Sequence, residues 1–488
     1  MRTFKLFAVF LLMSGWSIAW QGPATPASPP TQLLDPMIQK VISEISEERI
    51  AGILKKLESF ETRNTMSDPD QPNRGVGAAR QWIFDQFKSY SPRLQVSFDT
   101  HMVPKGGRVW KDTEMRNVVA VLPGKTDPDR WILIGGHYDT VNLRVPSEIR
   151  SDPAKAAEVP APGVTDDGTG TACAMECARV MSQYEFDATL VFVAFVAEEQ
   201  GLFGARGLAK ELKDKNQYVE ALLNNDMMGN DTNGAGETDN HRILVFSQDP
   251  SDSPSRQLAR YIRLIGSRYY PELTVDMVFR QDRFGRGGDH EPFNEQGYAA
   301  VRFTTPEENF SNQHSPTDTF ANTSVPYTAK VIRLNAAVAG SLALAPRPPI
   351  TMPEPSQPAP QAAPGAGQPS GAQAAAGQAA RPQGGQGQGR PQPRFGISRG
   401  TMPDNSSGYD AVLRWDYPNP PADLAGFIVV SRQTTSPDWE REIWAGNVRE
   451  FTIKNLPIDQ WVLGVKAVDR DGHESPVSAY WIQPRRIQ

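Results

Sequence analysis

Several runs of apolar residues that do not alternate with polar ones limit the fold more than any other feature of this chain. They lie between residues 117 and 305 and read NVVAVL, WILIGG, TLVFVAFVA, ALLNND, ILVFSQ and AAVRFTT. A strand stays apolar throughout when helices cover both faces of its sheet. Helical patterns separate several of these runs, for example GTGTACAMECARVMSQ and SRQLARYIRLIGSRY. The alternation predicts an α/β fold with a mostly parallel central sheet and helices on both faces.

The composition divides the chain into two folded regions. Residues 346–395 consist largely of Pro, Gly, Ala and Gln, and such a segment buries too little apolar surface to fold, so we predict a disordered linker. The α/β pattern occupies residues 36–345. Residues 396–488 contain short alternating strands separated by turn residues, which predicts an all-β sandwich. Its strand order, with Trp415 early and VLGVKAVDRDGHES late, resembles a fibronectin type III module, which on a flexible linker can bind a surface or a polymer.

The first residues predict export. Two early cations, an apolar stretch at residues 6–13 and the small-residue pattern at residues 17–19 are typical of a cleaved signal peptide spanning residues 1–19. No later segment reaches the roughly 20 apolar residues that a membrane helix needs. We therefore expect a secreted or periplasmic protein with no integral membrane span after signal cleavage. The 50 basic and 56 acidic residues leave a net charge of -6, so no nucleic-acid partner is expected.

Histidine and acidic side chains follow three of the apolar runs. His137 and Asp139 end WILIGGHYDT, Glu198 and Glu199 end LVFVAFVAEE, and Asp226 follows ALLNN. Ligands of open α/β sheets bind beyond the carboxyl ends of the strands. The sequence therefore predicts that these side chains converge in one crevice.

Two loop motifs supply more groups of the same kind. GVTDDGTG contains Asp166 and Asp167, and NQHSPTDTF contains His314. Histidine nitrogen and carboxylate oxygen bind zinc without thiolates, and two histidines with three carboxylates, one of them shared, suit two metal ions about 3.5 to 4 Å apart. Adjacent residues that leave a strand point in different directions, so one glutamate can bind metal while its neighbour takes a proton from the activated water. We expect Asp167 to cap the following helix.

These motifs resemble the zinc-dependent exopeptidase family that contains bacterial leucyl-type aminopeptidases, glutamate carboxypeptidases and glutaminyl cyclases. Five motifs occur in the family's order: GGHYDT, GVTDDGTG, AEEQGLFG, NNDMMG and HSPTDT. The resemblance implies two zinc ions per chain and Glu198 as the catalytic general base. It implies the metal ligands His137, Asp166, Glu199, Asp226 and His314. In that assignment the first histidine and Asp226 bind one ion, Glu199 and the second histidine bind the other, and Asp166 bridges both.

The resemblance also implies residues that support the ligands. Asp139 corresponds to a carboxylate that holds the ring of the first ligand histidine, and Asp318 is a candidate for the same role at His314. The stretch GGDHEPF resembles a family segment with Ser-Asp-His. Asp289 and His290 are therefore candidates for supporting the site or contacting substrate.

One departure from the family pattern concerns the oxyanion. Relatives often carry a tyrosine just before the last ligand histidine or shortly before Ser-Asp-His, whereas this chain has Gln313 and the stretch RFGRGG. Zinc plus another group would then meet the developing charge. His290, Arg283 and Arg286 are the candidates from the sequence.

The resemblance predicts an exported di-zinc exopeptidase, foremost an aminopeptidase that hydrolyses N-terminal residues from peptide substrates. Three alternatives stay open. The first is a carboxypeptidase acting on dipeptides or glutamate-containing substrates. The second is a glutaminyl cyclase, which uses one zinc on the same scaffold. The third is a non-catalytic binding protein in which the C-terminal module is the functional part. The complete set of implied ligands argues against this third alternative.

Overall fold

The computed structural model describes residues 28–31, 33–351, 396–399 and 410–480. The predicted signal peptide, residues 1–19, lies outside this part of the chain, as do residues 352–395 of the predicted linker. Among the described residues we find no helix with the length and hydropathy needed to span a bilayer.

In the part of the chain that the structure describes, the α-helices all fall before the predicted linker. They are α1 (Pro36–Ser43), α2 (Glu47–Glu58), α3 (Gly75–Tyr90), α4 (Ser147–Arg150), α5 (Pro153–Ala157), α6 (Thr169–Met181), α7 (Glu198–Gly201), α8 (Phe203–Asp214), α9 (Pro254–Tyr269), α10 (His290–Glu295) and α11 (Val325–Leu344).

The strands fall into two groups on either side of the predicted linker. The first group comprises β1 (Gln95–Val103), β2 (Thr113–Leu122), β3 (Asp127–His137), β4 (Ala188–Phe195), β5 (Tyr218–Asn225), β6 (Arg242–Ser247), β7 (Thr274–Val278) and β8 (Ala300–Thr304). The second comprises β9 (Gly396–Arg399), β10 (Ala411–Arg414), β11 (Leu424–Gln433), β12 (Arg441–Gly446), β13 (Glu450–Ile453), β14 (Trp461–Asp469) and β15 (Ser478–Ala479).

Strands β1 to β8 form one sheet in the order β1-β2-β4-β3-β5-β8-β6-β7. The neighbours β4, β3, β5 and β8 are parallel to one another, and β6 and β7 are also parallel. The pairs β1–β2, β2–β4 and β6–β8 are antiparallel. The predicted mostly parallel centre is confirmed, and the antiparallel pairs lie towards the edges. Because the central strands end at one edge, the residues that follow them meet there.

The central strands are buried on both faces, as the unalternating apolar runs predict. Every residue of β4 is buried. Phe192 packs into the larger core with helices such as α6 and α11, whereas its neighbour Val193 packs into a smaller core with Leu208 of α8 and Phe293 of α10. The sheet is therefore covered by helices on both sides, which leaves its strand ends as the place for a polar site.

The second group of strands forms two small sheets, β13-β10-β9 and β12-β11-β14-β15. Between them Trp415 is 1% exposed, and its ring centroid lies 5.4 Å from that of Phe427. The all-β C-terminal region is thus confirmed, and its likeness to a fibronectin type III module stays a prediction.

The sandwich formed by these two sheets packs directly on the α/β domain at helix α9. Arg432 Nη2 lies 2.5 Å from Asp252 Oδ1 just ahead of the helix, and Trp439 Nε1 donates to Gln257 Oε1 within it at 3.2 Å. These contacts join residues about 180 positions apart in the chain. The composition of the linker does not predict this docking.

Candidate metal centre

The ends of three neighbouring parallel strands bring the predicted residues together. His137 is the last residue of β3, Glu198 and Glu199 begin α7 directly after β4, and Asp226 follows β5. Because β4, β3 and β5 are adjacent and parallel, their carboxyl ends form one crevice. The convergence expected from the sequence is therefore found in the structure.

Asp166 and His314 enter the crevice on loops. Asp318 holds the loop that carries Asp166: its Oδ1 accepts from the backbone N–H of Thr165 at 2.9 Å, and its Oδ2 accepts from that of Asp166 at 3.0 Å. The sequence suggests instead that Asp318 orients the His314 ring. The structure directs both of its oxygens to the backbone of the Asp166 segment, so Asp318 positions the central carboxylate.

Asp166 presents one oxygen to each of two groups of side chains. His137 Nε2 lies 3.2 Å from Asp166 Oδ1 and 3.9 Å from Asp226 Oδ1. His314 Nε2 lies 3.0 Å from Asp166 Oδ2 and 3.2 Å from Glu199 Oε1. Each group of three could hold a metal ion. The five residues that the resemblance implies as ligands thus come together in two groups, grouped as the resemblance implies, and their role as metal ligands stays a prediction.

The donor atoms of these groups fit zinc. His137 Nε2 and Glu199 Oε1 are buried and have no hydrogen-bond partner among the described residues, although other ligand atoms lie close to them. Two atoms bound to one tetrahedral zinc at about 2.0 to 2.2 Å are about 3.3 Å apart. The separations of 3.0 to 3.2 Å at Asp166 and Glu199 match that spacing, so the atoms are placed to share a cation.

Burial makes this group of carboxylates unfavourable without cations. Burial, and then the charge of Asp166, raise the pKa of Glu199 to about 7. Burial also raises the pKa of Glu198 well above its usual value, and the charges of Asp226 and Glu199 add to the effect, while His137 opposes it. Bound dications would offset the repulsion, because metal ligands must be deprotonated.

Comparisons with known proteins identify the family of this chain. The model of peptidase family M28 matches residues 117–339. A probable zinc metalloprotease of Pyrenophora tritici-repentis is 31% identical over 477 residues, which are 91% of this chain and 96% of the relative. One of Pyricularia oryzae is 31% identical over 503 residues, 94% of this chain and 88% of the relative. The chain belongs to peptidase family M28. This M28 peptidase is therefore a metallopeptidase, and the family implies zinc.

A solved structure shows the same fold. LapB from Legionella pneumophila superposes on the M28 peptidase with a TM-score of 0.51 at 20% identity, covering 66% of this chain and 78% of LapB.

Asp139 orients two parts of the site in the M28 peptidase. Its backbone oxygen lies 3.0 Å from His137 Nδ1, nearer than its carboxylate at 3.6 Å. The carboxylate accepts from Thr65 Oγ1 at 2.9 Å and from the backbone N–H groups of Glu198 and Glu199 at 3.2 and 3.3 Å. The role expected from the sequence is thus met by the main chain, while the side chain positions the glutamate pair.

Asp167 supports the first turn of α6, as expected of a cap. Its Oδ1 accepts from the backbone N–H of Gly170 at 2.8 Å. Its Oδ2 accepts from the backbone N–H of His137 at 3.0 Å. Asp167 therefore fixes the end of β3 against the start of α6 and is absent from both ligand groups.

Asp289 and His290 are fully buried. His290 Nε2 lies 2.8 Å from the backbone oxygen of Gln281, so that nitrogen is used inside the protein. Both carboxylate oxygens of Asp289 are buried without a hydrogen-bond partner among the described residues, and burial raises its pKa well above the usual value. The other ring nitrogen of His290, Nδ1, is buried without a hydrogen-bond partner among the described residues. Full burial of both side chains favours a supporting role over substrate contact.

Arg302 was not found by the motif analysis. It lies in β8 with 0% exposure, and its Nη2 is 3.0 Å from Asp226 Oδ1. Its Nη1 lies 3.2 Å from Asp282 Oδ2. The signal in the sequence is the arginine inside the apolar run AAVRFTT, because arginine is almost never fully buried unless it is paired. Arg302 holds the Asp226 carboxylate and offsets part of its charge.

Gln313, noted in the sequence as a replacement for tyrosine, points an amide into the site. Its Nε2 donates to Asp166 Oδ2 at 2.9 Å and lies 3.2 Å from Met227 Sδ. Arg283 and Arg286 approach the same sulfur at 3.8 and 3.6 Å. The side-chain amide of Gln313 therefore lies nearer to the candidate ligand carboxylates than His290, Arg283 or Arg286 does.

Proposed function

We propose that this M28 peptidase is a di-zinc aminopeptidase that hydrolyses N-terminal residues from peptides. The observation that carries the proposal is the sharing of Asp166, which gives one oxygen to each group of ligands. His137, Asp166 and Asp226 would hold one ion, and Asp166, Glu199 and His314 the other. The aminopeptidase polarity rests on the resemblance of the five motifs to leucyl-type aminopeptidases.

The residues of these two groups would hold zinc, which when bound would supply Lewis-acid polarisation of the peptide carbonyl and a lower pKa for the attacking water. Glu198 stands beside the ligand Glu199 but belongs to neither group, and its backbone is fixed by Asp139. Glu198 takes the proton from the water and passes it to the leaving amine.

Gln313 supplies a donor for the carbonyl oxygen. Its amide nitrogen lies at the ligand carboxylates, where charge develops as the carbonyl is attacked. A neutral donor that is already oriented at the place where charge develops stabilises that charge.

A digest of a mixed peptide library tests the proposal, with products identified by mass spectrometry. We expect free amino acids from the N-terminus, loss of activity with a chelator and recovery with zinc. Release from the C-terminus would contradict the polarity, and pyroglutamate formation would favour a glutaminyl cyclase. Measurement of two zinc equivalents per chain supports the di-metal site, whereas one contradicts it.

We also propose that the protein is exported, on the composition of residues 1–19. Sequencing the N-terminus of mature protein from the extracellular or periplasmic fraction tests this. An intact Met1 in cytoplasmic protein would contradict it. Contact of the sandwich with a surface or a polymer stays a prediction.

A further inference from the structure

An open cleft of about 590 Å³ lies close to the candidate metal centre, because its lining residues Thr305, Arg283 and Arg286 contact Met227, the residue after Asp226. It lies among β6, the segment at residues 283–286 and the segment at residues 305–311. Met227 separates it from the metal ligands: Met227 follows Asp226 in the chain, and its backbone oxygen accepts from Thr305 N–H at 3.0 Å. When the peptide bond to be cleaved lies at the candidate metal ligands, a side chain or chain end next to that bond could therefore reach past Met227 into the cleft. The volume is typical of a ligand pocket.

Two arginines and a glutamate form one wall of this cleft. The side chain of Glu308 has little exposure, and its oxygens accept from Arg283 Nη1 at 3.0 and 3.1 Å and from Arg286 Nη1 at 2.7 Å. Arg283 also binds Asp282 at 3.0 Å. Both oxygens of Glu308 are thus occupied, which leaves it poorly placed to bind a substrate cation. Glu307, a further acidic residue of the lining, accepts from Asn233 Nδ2 at 2.6 Å.

Arg286 is the more accessible of the two arginines. Its side chain is 29% exposed, against 14% for Arg283 and 8% for Glu308. Glu308 binds Nη1 of Arg286, while Nη2 faces the sulfur of Met227 at 3.6 Å, a weak acceptor. Nη2 is thus left with only a weak acceptor, and Arg286 lines the cleft, so its guanidinium keeps donor capacity for a ligand bound there.

Aromatic rings border the arginines. Phe284 is 87% exposed and Phe310 is 62% exposed, and both line the cleft, as Phe246 does. Large exposed apolar side chains around a charged group are typical of a binding surface. A ligand covering them would exclude water from Arg286 and strengthen its hydrogen bonds.

We infer that this cleft is a substrate subsite that binds a carboxylate through Arg286, whose guanidinium is held by Glu308, which Arg283 also binds. The inference rests on the proposed peptidase function and names its substrate class. The planar fork of arginine matches a carboxylate with two parallel hydrogen bonds. The carboxylate is either an acidic side chain or the C-terminus of a short peptide, and both present the same chemistry.

Matched substrates separate the two sources. One pair of peptides differs only in an N-terminal Glu or Gln, and the other only in a free or amidated C-terminus. We expect kcat/KM to favour the carboxylate member of one pair by about 10- to 100-fold. Arg286→Gln should abolish that preference by raising KM for the carboxylate substrate, and Arg286→Lys should keep part of it. Arg206→Gln removes a surface arginine paired with Glu295, outside the lining, and should keep the full preference.

A binding measurement completes the test without hydrolysis. Calorimetry with hexanoate and hexanamide should show tighter binding of the carboxylate to wild type and loss of that difference in Arg286→Gln. Any one of three results overturns the proposed subsite. These are equal kcat/KM within both peptide pairs, a carboxylate preference that persists in Arg286→Gln, and equal calorimetric binding of hexanoate and hexanamide. Absence of any peptide hydrolysis together with carboxylate-selective binding would support the subsite and contradict the proposed function.

Discussion

Glu199 Oε1 lies 3.2 Å from His314 Nε2, which places this glutamate among the ligands. Its chain neighbour Glu198 belongs to neither ligand group. Both backbone N–H groups are held by the carboxylate of Asp139, so the two side chains diverge from one fixed point. The adjacent acidic residues thus take different positions, as the proposed roles of metal ligand for Glu199 and general base for Glu198 require.

Replacing Glu198 with Gln should separate catalysis from metal binding. We expect kcat to fall by about 10² to 10⁴, the usual contribution of a general base, while zinc content is unchanged. Steady-state kinetics and elemental analysis of the same preparation measure both. Glu199→Gln is the matched control and should lose metal. Full activity in Glu198→Gln, or loss of its zinc, would contradict the assignment.

The shared position of Asp166 predicts a difference between two ligand variants. Asp226→Asn changes one group and should weaken binding of one zinc ion, whereas Asp166→Asn changes both groups and should weaken binding of both. Zinc equivalents after dialysis, measured by elemental analysis, test this. Asp129→Asn, an exposed site, is the control. Equal losses in Asp166→Asn and Asp226→Asn would argue against a bridging carboxylate.

The ligands could be predicted from the sequence because their positions follow from local patterns. His137, Glu199 and Asp226 each follow an apolar run. The carboxyl ends of neighbouring parallel strands lie at one edge of the sheet, so residues that follow such strands come together. The antiparallel edge pairs could not be predicted in this way, because they depend on the order of strands in the sheet. Motif order supplied the pairing of the ligands.

Contacts between distant segments explain what the sequence did not reveal. Arg302 reaches Asp226 across 76 positions, and Asp318 holds Asp166 across 152. The sandwich binds α9 through residues that also carry no motif. Such contacts depend on how helices and strands pack in three dimensions. The periodicity and spacing of residues along one chain do not predict that packing.

Gln313→Ala should lower kcat by about 10² to 10³, the effect of removing one oxyanion donor. KM and zinc content should change little, because the amide acts as charge develops. Gln313→Tyr returns a donor and should recover part of the rate. Kinetics with metal analysis check this. An unchanged kcat would exclude the amide as a donor, and loss of zinc would show that Gln313 only positions Asp166.

His473 links the sandwich to the start of the α/β domain. Its Nε2 lies 3.1 Å from Asp35 Oδ2, and its Nδ1 lies 2.8 Å from Asp469 Oδ2. Burial lowers the pKa of His473, but the hydrogen bonds and charges of Asp469 and then Asp35 outweigh it and raise the pKa to about 9. Tyr269, whose hydroxyl accepts from Asp35 N–H, has a raised pKa and stays neutral in this range.

The raised pKa of His473 predicts that alkaline pH weakens the docked sandwich. The histidine binds its proton more tightly in the folded protein, so its stabilisation is complete below pH 6.5 and is lost as pH rises through about 9. The free energy of unfolding should fall on the order of 1 to 3 kcal/mol across this window. Thermal unfolding of wild type and His473→Gln at each pH measures the effect. The variant should show a flatter dependence, because it lacks the titrating ring, and parallel curves for the two proteins would exclude His473 as the cause.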